Sequence, residues 1–160
     1  MIGPGEGAGQ REIDDAALIG ELVAKAGWVV LTGGKAAGVM GAAARGARNA
    51  GGLILGILPM ADAAEASPDV DITLTTGLGE ARNAVIALSC HACVACGMNP
   101  GTASEIALAV RARKPAVLVR PDERSVEFFH ALAPDLVHVA TSAGEAIEML
   151  RSLTPDAKPT

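Results

Sequence analysis

The sequence predicts an α/β fold: an open, mostly parallel sheet with helices on both faces, formed by a single domain spanning residues 1–153. Short, continuously apolar runs alternate with segments of helical periodicity, and this alternation is typical of parallel sheets. Hydrophobic residues make up 50% of the 160 positions but aromatic residues only 2%, so the core must consist of Ala, Val, Leu and Ile. Nineteen glycines and few alternating strands argue against a β-sandwich.

The elements follow from these patterns in chain order. The predicted strands are short apolar runs: a stub at Ile2, then residues 28–32, 53–58, 72–74, 92–96, 116–119 and 136–139. The predicted helices are residues 14–26 with Gly27 as the C-cap, then 38–49, 80–88, 102–113, 123–132 and 143–153. Residues 60–69 are predicted to form a loop at the rim of a cleft, and residues 154–160 a C-terminal tail.

The charge balance excludes several classes of partner. A net charge of −5 and the absence of a basic face argue against nucleic acid. The N-terminus carries no signal pattern, and no uninterrupted apolar stretch is long enough for a membrane span. These features predict a cytoplasmic protein with no membrane partner, and the high mean hydropathy of +0.35 favours a homo-oligomer.

The three cysteines have the C-x2-C-x2-C spacing of iron–sulfur ligands, at Cys90, Cys93 and Cys96. Cys93 and Cys96 lie on a predicted buried strand and point to opposite faces, and a fourth cysteine is lacking. We therefore interpret these residues as small hydrophobic core residues and expect no structural metal.

Four glycine-bearing loops follow predicted strands, and they are residues 3–7, 33–38, 75–79 and 97–101. The carboxyl ends of parallel strands meet at one edge of the sheet, where ligands bind at the topological switch point. The loop at residues 97–101 also leads into a helix N-terminus, which attracts anions, with the Thr102 hydroxyl and Glu105 facing the same mouth. The pattern therefore predicts a cleft for a phosphorylated or carboxylated small molecule.

Two cations lie near these loops. Arg82 opens the helix after the loop at residues 75–79 and suits recognition of a phosphate or carboxylate, or alternatively a structural ion pair with Glu80 or Glu105. Lys35 either contacts a phosphate as a point charge or is simply solvated. The loop that contains Lys35 matches neither a Walker loop nor a strict dinucleotide fingerprint.

Taken together, these motifs resemble those of the molybdenum-cofactor carrier proteins and their bacterial relatives, in the superfamily of the Lonely-Guy-type cytokinin phosphoribohydrolases. The resemblance extends from Ile2 to about Val119 and is specific only as an ordered set. Its motifs are Ile2-Gly3-x-Gly5, Leu31-Thr32-Gly33-Gly34, Gly38-Val39-Met40, Arg45-Gly46-Ala47, Gly51-Gly52, Gly56-Ile57-Leu58-Pro59, Thr76-Gly77-Leu78-Gly79, Ala81-Arg82-Asn83 and residues 100–107.

The resemblance implies a Rossmann-like fold, a homodimer or homotetramer, and an anion-binding cleft formed by the glycine loops. In the hydrolase branch, an arginine and a glutamate matching Arg82 and Glu105 cleave the N-glycosidic bond of a nucleoside 5′-monophosphate. Met98 and Asn99 replace glycines of the hydrolase motif, and Asn83 stands where hydrolases usually carry lysine. These departures favour the carrier branch.

We therefore expect a carrier or binding protein for a phosphorylated pterin-type cofactor, the molybdenum cofactor, or for a nucleotide. The alternative is a phosphoribohydrolase that uses Arg82 and Glu105 as catalytic residues; a DNA-processing relative of the Smf type is disfavoured by the acidic charge. The expected ligand-binding residues are Gly3, Pro4, Gly5, Thr32, Gly33, Gly34, Gly38, Val39, Met40, Thr76, Gly77, Leu78, Arg82, Asn83, Gly97, Met98, Asn99, Pro100, Gly101, Thr102 and Glu105.

Overall fold

The computed structural model describes residues 1–155. Within this part of the chain, strands and helices alternate as the sequence predicts. The strands are β1 (Val30–Thr32), β2 (Ile54–Leu58), β3 (Ile72–Thr75), β4 (Cys93–Cys96), β5 (Ala116–Val119) and β6 (Val137–Ala140). The helices are α1 (Gln10–Lys25), α2 (Gly38–Asn49), α3 (Arg82–Ser89), α4 (Pro100–Arg111), α5 (Glu123–Leu132) and α6 (Ala143–Leu153), and a 3-10 turn, Gly79–Ala81, precedes α3.

The strands form two parallel three-stranded sheets that meet at the N-terminal segment. One sheet has the order β1-β2-β3 and the other β4-β5-β6. Ile2 pairs in parallel with Ala95 of β4, and the Met1 nitrogen donates to the Leu31 carbonyl of β1. Ile2 therefore takes the central place in the order β3-β2-β1-Ile2-β4-β5-β6, and the order of the chain reverses on either side of it.

The helices cover both faces of this layer. One buried cluster joins α1, α2 and α6 to residues such as Val30, Ile54 and Val117. The other joins α3, α4 and α5 to residues such as Ile57 and Leu118. Two apolar faces on one parallel sheet are the arrangement of the Rossmann-like fold, which confirms the predicted fold class.

The cysteines of β4 follow the predicted alternation. Cys96 belongs to the cluster on the α1 side and Cys93 to the cluster on the α3 side. Burial raises the pKa of the Cys96 thiol to about 12 and that of Cys93 still further. Both thiols are thus neutral core groups, and residues 1–155 contain no cluster of three or more metal-ligating side chains.

Four helix or strand boundaries differ from the prediction in an informative way. Helix α1 begins at Gln10 instead of residue 14, because the Glu12 carboxylate accepts the Gly9 N–H and so caps a polar first turn. Helix α4 begins at Pro100 instead of residue 102, since Asn99 is its N-cap. The predicted helix at 80–88 splits into the 3-10 turn and α3, and β6 begins at Val137.

The other boundaries lie at the predicted residues or within two of them, the largest difference in a strand being β1, which begins at Val30 instead of residue 28. Helices α2, α5 and α6 and strand β5 have the predicted bounds. Residues 60–69 form neither helix nor strand, as expected for a loop. Residues 154–155 follow α6 outside any helix, and the rest of the predicted tail lies beyond the described residues. In the described chain, no helix has both the length and the apolar character needed to cross a membrane.

Candidate functional site

The candidate site is the set of loops at the carboxyl ends of the central strands. The chain leaves Ile2 through the glycine-rich segment before α1, leaves β1 through Gly33-Gly34, and leaves β4 through Gly97. These three exits flank the position at which the strand order reverses. A parallel α/β sheet opens a crevice at this point, and the helix N-termini after it offer free N–H groups.

Glycine is required here because the loops touch backbone to backbone. A Cβ on Gly3 would collide with the Cys96 carbonyl, and one on Gly38 would collide with the carbonyls of Pro4 and Gly5. The Val39 N–H donates to the Pro4 carbonyl over 3.1 Å. The first two loops and the end of β4 therefore form one continuous wall, which brings together residues that are far apart in sequence.

The β1 exit is shaped by Thr32 and Met40. The buried Thr32 hydroxyl accepts the Gly34 N–H at 3.0 Å, and Gly34 adopts a left-handed φ of 82°. The Met40 sulfur lies so close to Gly33 that an added Cβ would come within 2.5 Å of it. Thr32, Gly34 and Met40 thus fix the path of the loop.

Arg82 lies against this loop and is the most unusual group of the site. Its side chain is 9% exposed, and a Cβ on Gly33 would lie 2.5 Å from its Nη1. The buried Nε and Nη1 have no hydrogen-bond partner, and Arg82 enters no ion pair among the described residues. Burial lowers the pKa of Arg82, and the nearby carboxylates of Glu105 and Glu80 oppose this shift. The guanidinium is therefore a buried cation with donors left over for an anion.

Glu105 of α4 faces the same cation. Its half-buried carboxyl group has a pKa raised to about 7 by burial, while the charge of Arg82 acts in the opposite direction. No ion pair joins it to Arg82, although both residues are described. The structure thus brings together the two residues singled out from the sequence and leaves Glu105 able to change its charge near neutral pH.

Asn83 stabilises the junction behind these two residues. It is 6% exposed, and its amide donates to the Ser104 hydroxyl over 3.3 Å. The Ser104 hydroxyl in turn donates to the Gly101 carbonyl. Asn83 therefore links α3 to the first turn of α4, which is the part of α4 that faces the cleft.

The β4 exit carries its own helix cap. Asn99 Oδ1 accepts both the Thr102 N–H at 2.8 Å and the Thr102 hydroxyl at 3.0 Å. Thr102 is 1% exposed, whereas Pro100 and Gly101 are exposed. The cap thus occupies the Thr102 hydroxyl and amide that the sequence suggested for a ligand, because the Asn99 side chain reaches them first. The exposed backbone of this turn is that of its first two residues.

The fourth glycine loop lies farther along the edge. Thr76 donates its hydroxyl to the Leu58 carbonyl over 2.7 Å and accepts the Leu78 N–H at 3.3 Å. A Cβ on Gly77 would meet Ala61, in the loop at residues 60–69, at 3.7 Å. This loop follows β3, where Gly77 borders residues 60–69, and it leads through the 3-10 turn into Arg82.

The loop at residues 60–69 also reaches the β1 exit. The Ser67 N–H donates to the Gly34 carbonyl at 2.8 Å, and Lys35 forms an isolated bridge with Ala66 and a 2.7 Å ion pair with Glu65. Lys35 is thus paired with a carboxylate, an arrangement that differs from both the phosphate contact and the solvated side chain considered from the sequence. These contacts put residues 60–69 beside the glycine loop, where a rim would lie.

Sequence reasoning missed an adjoining cleft of about 280 Å³ at the ends of β4 and β5. Gly97 and Met98 line it together with Glu12, Arg120 and Asp122. Only the spacing of Glu12 three residues after Gly9 gives a signal in the sequence, and that signal indicates a helix cap. The tertiary fold alone brings Glu12 to Gly97.

Comparison with known proteins gives one family and several relatives. A sequence model of the SLOG cluster4 family matches residues 1–147. An uncharacterised protein of Archaeoglobus fulgidus is 38% identical over 121 residues, which are 76% of this chain and 78% of that protein.

Two solved structures share both fold and sequence. The molybdenum cofactor binding protein of Rippkaea orientalis has a TM-score of 0.92 and 44% identity, covering 94% of this chain and 93% of its own. The molybdenum cofactor carrier protein of Chlamydomonas reinhardtii has a TM-score of 0.92 and 42% identity, covering 97% and 96%. The likeness includes nearly the whole of each chain, so it includes the loops described above.

Proposed function

The chain belongs to the SLOG cluster4 family, and from this premise we propose that it binds and carries the molybdenum cofactor, with the cofactor phosphate held at the glycine loops. The observation that supports this proposal most directly is the buried guanidinium of Arg82, which has two unpartnered nitrogens. A buried guanidinium with two unpartnered nitrogens is costly in the free protein, because each unsatisfied buried donor costs about 1–3 kcal/mol. An anion that accepts these hydrogen bonds removes the cost. The two similar proteins bind or carry the molybdenum cofactor, so we take the anion to be the phosphate of that cofactor.

The residues present fit a phosphorylated pterin. Arg82 supplies charge-assisted donors at Gly33, and the exposed turn at Pro100 and Gly101 begins a helix whose N-terminus favours negative charge. When bound, the cofactor would supply redox chemistry. The role of this chain is to bind, orient and protect it.

The experiment is a binding measurement with purified protein and molybdopterin under anaerobic conditions. We expect saturable binding and a rise in melting temperature with ligand concentration, because a ligand that binds only the folded state stabilises it. Arg45→Met is a matched control, since Arg45 is exposed on α2. Binding that is equally tight in wild type and Arg82→Met would contradict the proposed phosphate site.

A second candidate is a nucleoside 5′-monophosphate phosphoribohydrolase, and the Arg82–Glu105 pair favours it. A carboxyl group with a pKa of about 7 can stabilise a developing oxocarbenium ion or activate water near neutral pH. Incubation with AMP and related nucleotides tests it. Release of free base that is lost in Glu105→Gln would establish the hydrolase and count against the carrier.

We also propose that the chain assembles into a homodimer or homotetramer. Ile72 and Leu74 on the edge strand β3 are 47% and 48% exposed, and Leu88 on α3 is 65% exposed. Leu74 is the register partner of Ile57, which belongs to the core on the α3 side of the sheet. Because Leu74 is itself exposed, the sheet has uncovered apolar surface on that side. Light scattering coupled to size-exclusion chromatography measures the assembly, and a monomer would refute it.

A further inference from the structure

The cleft at the ends of β4 and β5 has an electrostatic character opposite to that of the Arg82 site. It encloses about 280 Å³ and is lined by Glu12, Gly97, Met98, Leu118, Arg120 and Asp122. Gly97 is the exit of β4, so this cleft and the Arg82 site lie along the same edge of the sheet. Its charged side chains are one cation and two carboxylates, with a third carboxylate, Asp15, beside Arg120.

Most of these charges already have partners. Arg120 Nε lies 3.0 Å from Asp15 Oδ2. Both oxygens of Asp122 accept hydrogen bonds from Ser125, one from its amide and one from its hydroxyl. Arg120 therefore has only its Nη donors left for a ligand, next to the carboxylate of Asp15, and Asp122 is held by Ser125.

Glu12 differs because only one of its oxygens is used. Oε2 accepts the Gly9 N–H at 2.8 Å and caps α1. Oε1 accepts no hydrogen bond from residues 1–155 and stands against Gly97, where an added Cβ would collide with it. Gly97 has a left-handed φ of 78°, so glycine suits this position in two ways. The half-buried carboxylate thus presents a free acceptor to the cleft.

The crevice therefore has a cation, Arg82, in one part and a carboxylate with a free acceptor, Glu12, in another. An anion is attracted by Arg82 and repelled by Glu12, whereas a group with N–H donors is favoured at Glu12. A ligand that carries a phosphate at one end and an N–H-rich ring at the other therefore binds in one orientation.

We propose that Glu12 recognises the donor edge of a 2-amino-4-oxopyrimidine ring, the edge formed by its exocyclic amino group and the adjacent ring N–H. A pterin carries this edge. A carboxylate has about four lone-pair sites, so Glu12 accepts both ring donors while keeping its bond to Gly9. The inference rests on the proposed function, and it makes Glu12 the residue that sets specificity for the ring.

The test compares two ligands that differ at this edge. The probes are 6-hydroxymethylpterin monophosphate and its 2-oxo analogue, in which a carbonyl replaces the amino group and ring N1 gains a hydrogen. We expect wild-type protein to bind the pterin about tenfold or more tightly than the analogue, as for a bidentate pair that discriminates between ring edges. In Glu12→Gln the ratio of the two dissociation constants should fall to about one, because the amide replaces one acceptor by a donor.

The controls separate recognition from folding. Glutamine keeps an oxygen that can cap Gly9, so the melting temperature of Glu12→Gln should stay close to that of wild type. Glu6→Gln, in the exposed loop before α1, should leave the preference intact. A preference that survives in Glu12→Gln, or wild-type protein that binds both probes equally, would overturn this inference alone. Wild-type protein that binds neither probe nor molybdopterin would overturn the proposed function as well.

Discussion

Arg82 is a position at which stability and ligand binding should change in opposite directions. Arg82→Met keeps an unbranched apolar chain and removes the charge together with the two unpartnered buried nitrogens. Since an unsatisfied buried donor costs about 1–3 kcal/mol, we expect the free protein to gain about 1–2 kcal/mol after allowing for the space that the guanidinium vacates. For a chain of this length the melting temperature then rises by about 2–8 °C.

The same substitution should weaken ligand binding. A hydrogen bond to a charged group contributes about 1.5–3 kcal/mol, so the dissociation constant for a phosphorylated ligand should rise about 10- to 150-fold. Urea unfolding measures the stability, and titration with the ligand measures the affinity. The stability gain should be larger at pH 6 than at pH 8, because Glu105, with its pKa of about 7, attracts Arg82 only when charged.

Two results would refute the reasoning. Lower stability of Arg82→Met at pH 6 would mean that the guanidinium stabilises the free protein. Unchanged affinity would mean that the ligand does not contact Arg82. Arg45→Met, which removes an exposed guanidinium from α2, should change neither quantity and controls for net charge.

Three further predictions concern neighbouring residues. The folded-state pKa of Glu105 is raised from 4.5 to about 7, so the free energy of unfolding should fall as pH rises through this range. This group contributes at most about 1.4 kcal/mol per pH unit to the fall. Urea unfolding at several pH values should show that Glu105→Gln removes it. Gly33→Ala places a Cβ 2.5 Å from Arg82 Nη1 and should weaken ligand binding in titration calorimetry, whereas Gly144→Ala, with only Ser142 Oγ at 4.0 Å, should not. Asn99→Ala removes the N-cap of α4 and should lower thermal stability by about 1 kcal/mol, with Asn99→Asp retaining most of it; an unchanged melting temperature would contradict the capping role.

Much of the fold was predictable because it depends on local patterns. Continuous apolar runs predicted all six strands, and one of them, β5, has its predicted bounds. The predicted start of α1 was wrong because Gly9 has no side chain to mark the cap and the capping group is the carboxylate of Glu12, which folds back onto the Gly9 N–H. The stub predicted at Ile2 is present as a single pairing with Ala95.

The candidate site was predictable only in outline. Gly33, Arg82 and Glu105 stood out by residue type and spacing, and the structure brings all three together. Asn99 followed by Pro100 carries the ordinary signature of an N-cap, so its bond to the Thr102 amide could have been expected. The contact between Glu12 and Gly97 was not foreseeable, because it joins residues that are far apart in the sequence.

The sequence by itself determined the alternation of elements and the edge of the sheet at which the glycine loops gather, since both follow from periodicity and from the direction of parallel strands. Only the tertiary structure decided that Arg82 lacks a partner and that Glu12 keeps a free oxygen. Burial and hydrogen bonding depend on every neighbour in space, and those neighbours come from α1, α3, α4 and the loops of several strands. The charge pattern of the crevice is therefore a property of the packed molecule and not of any one segment.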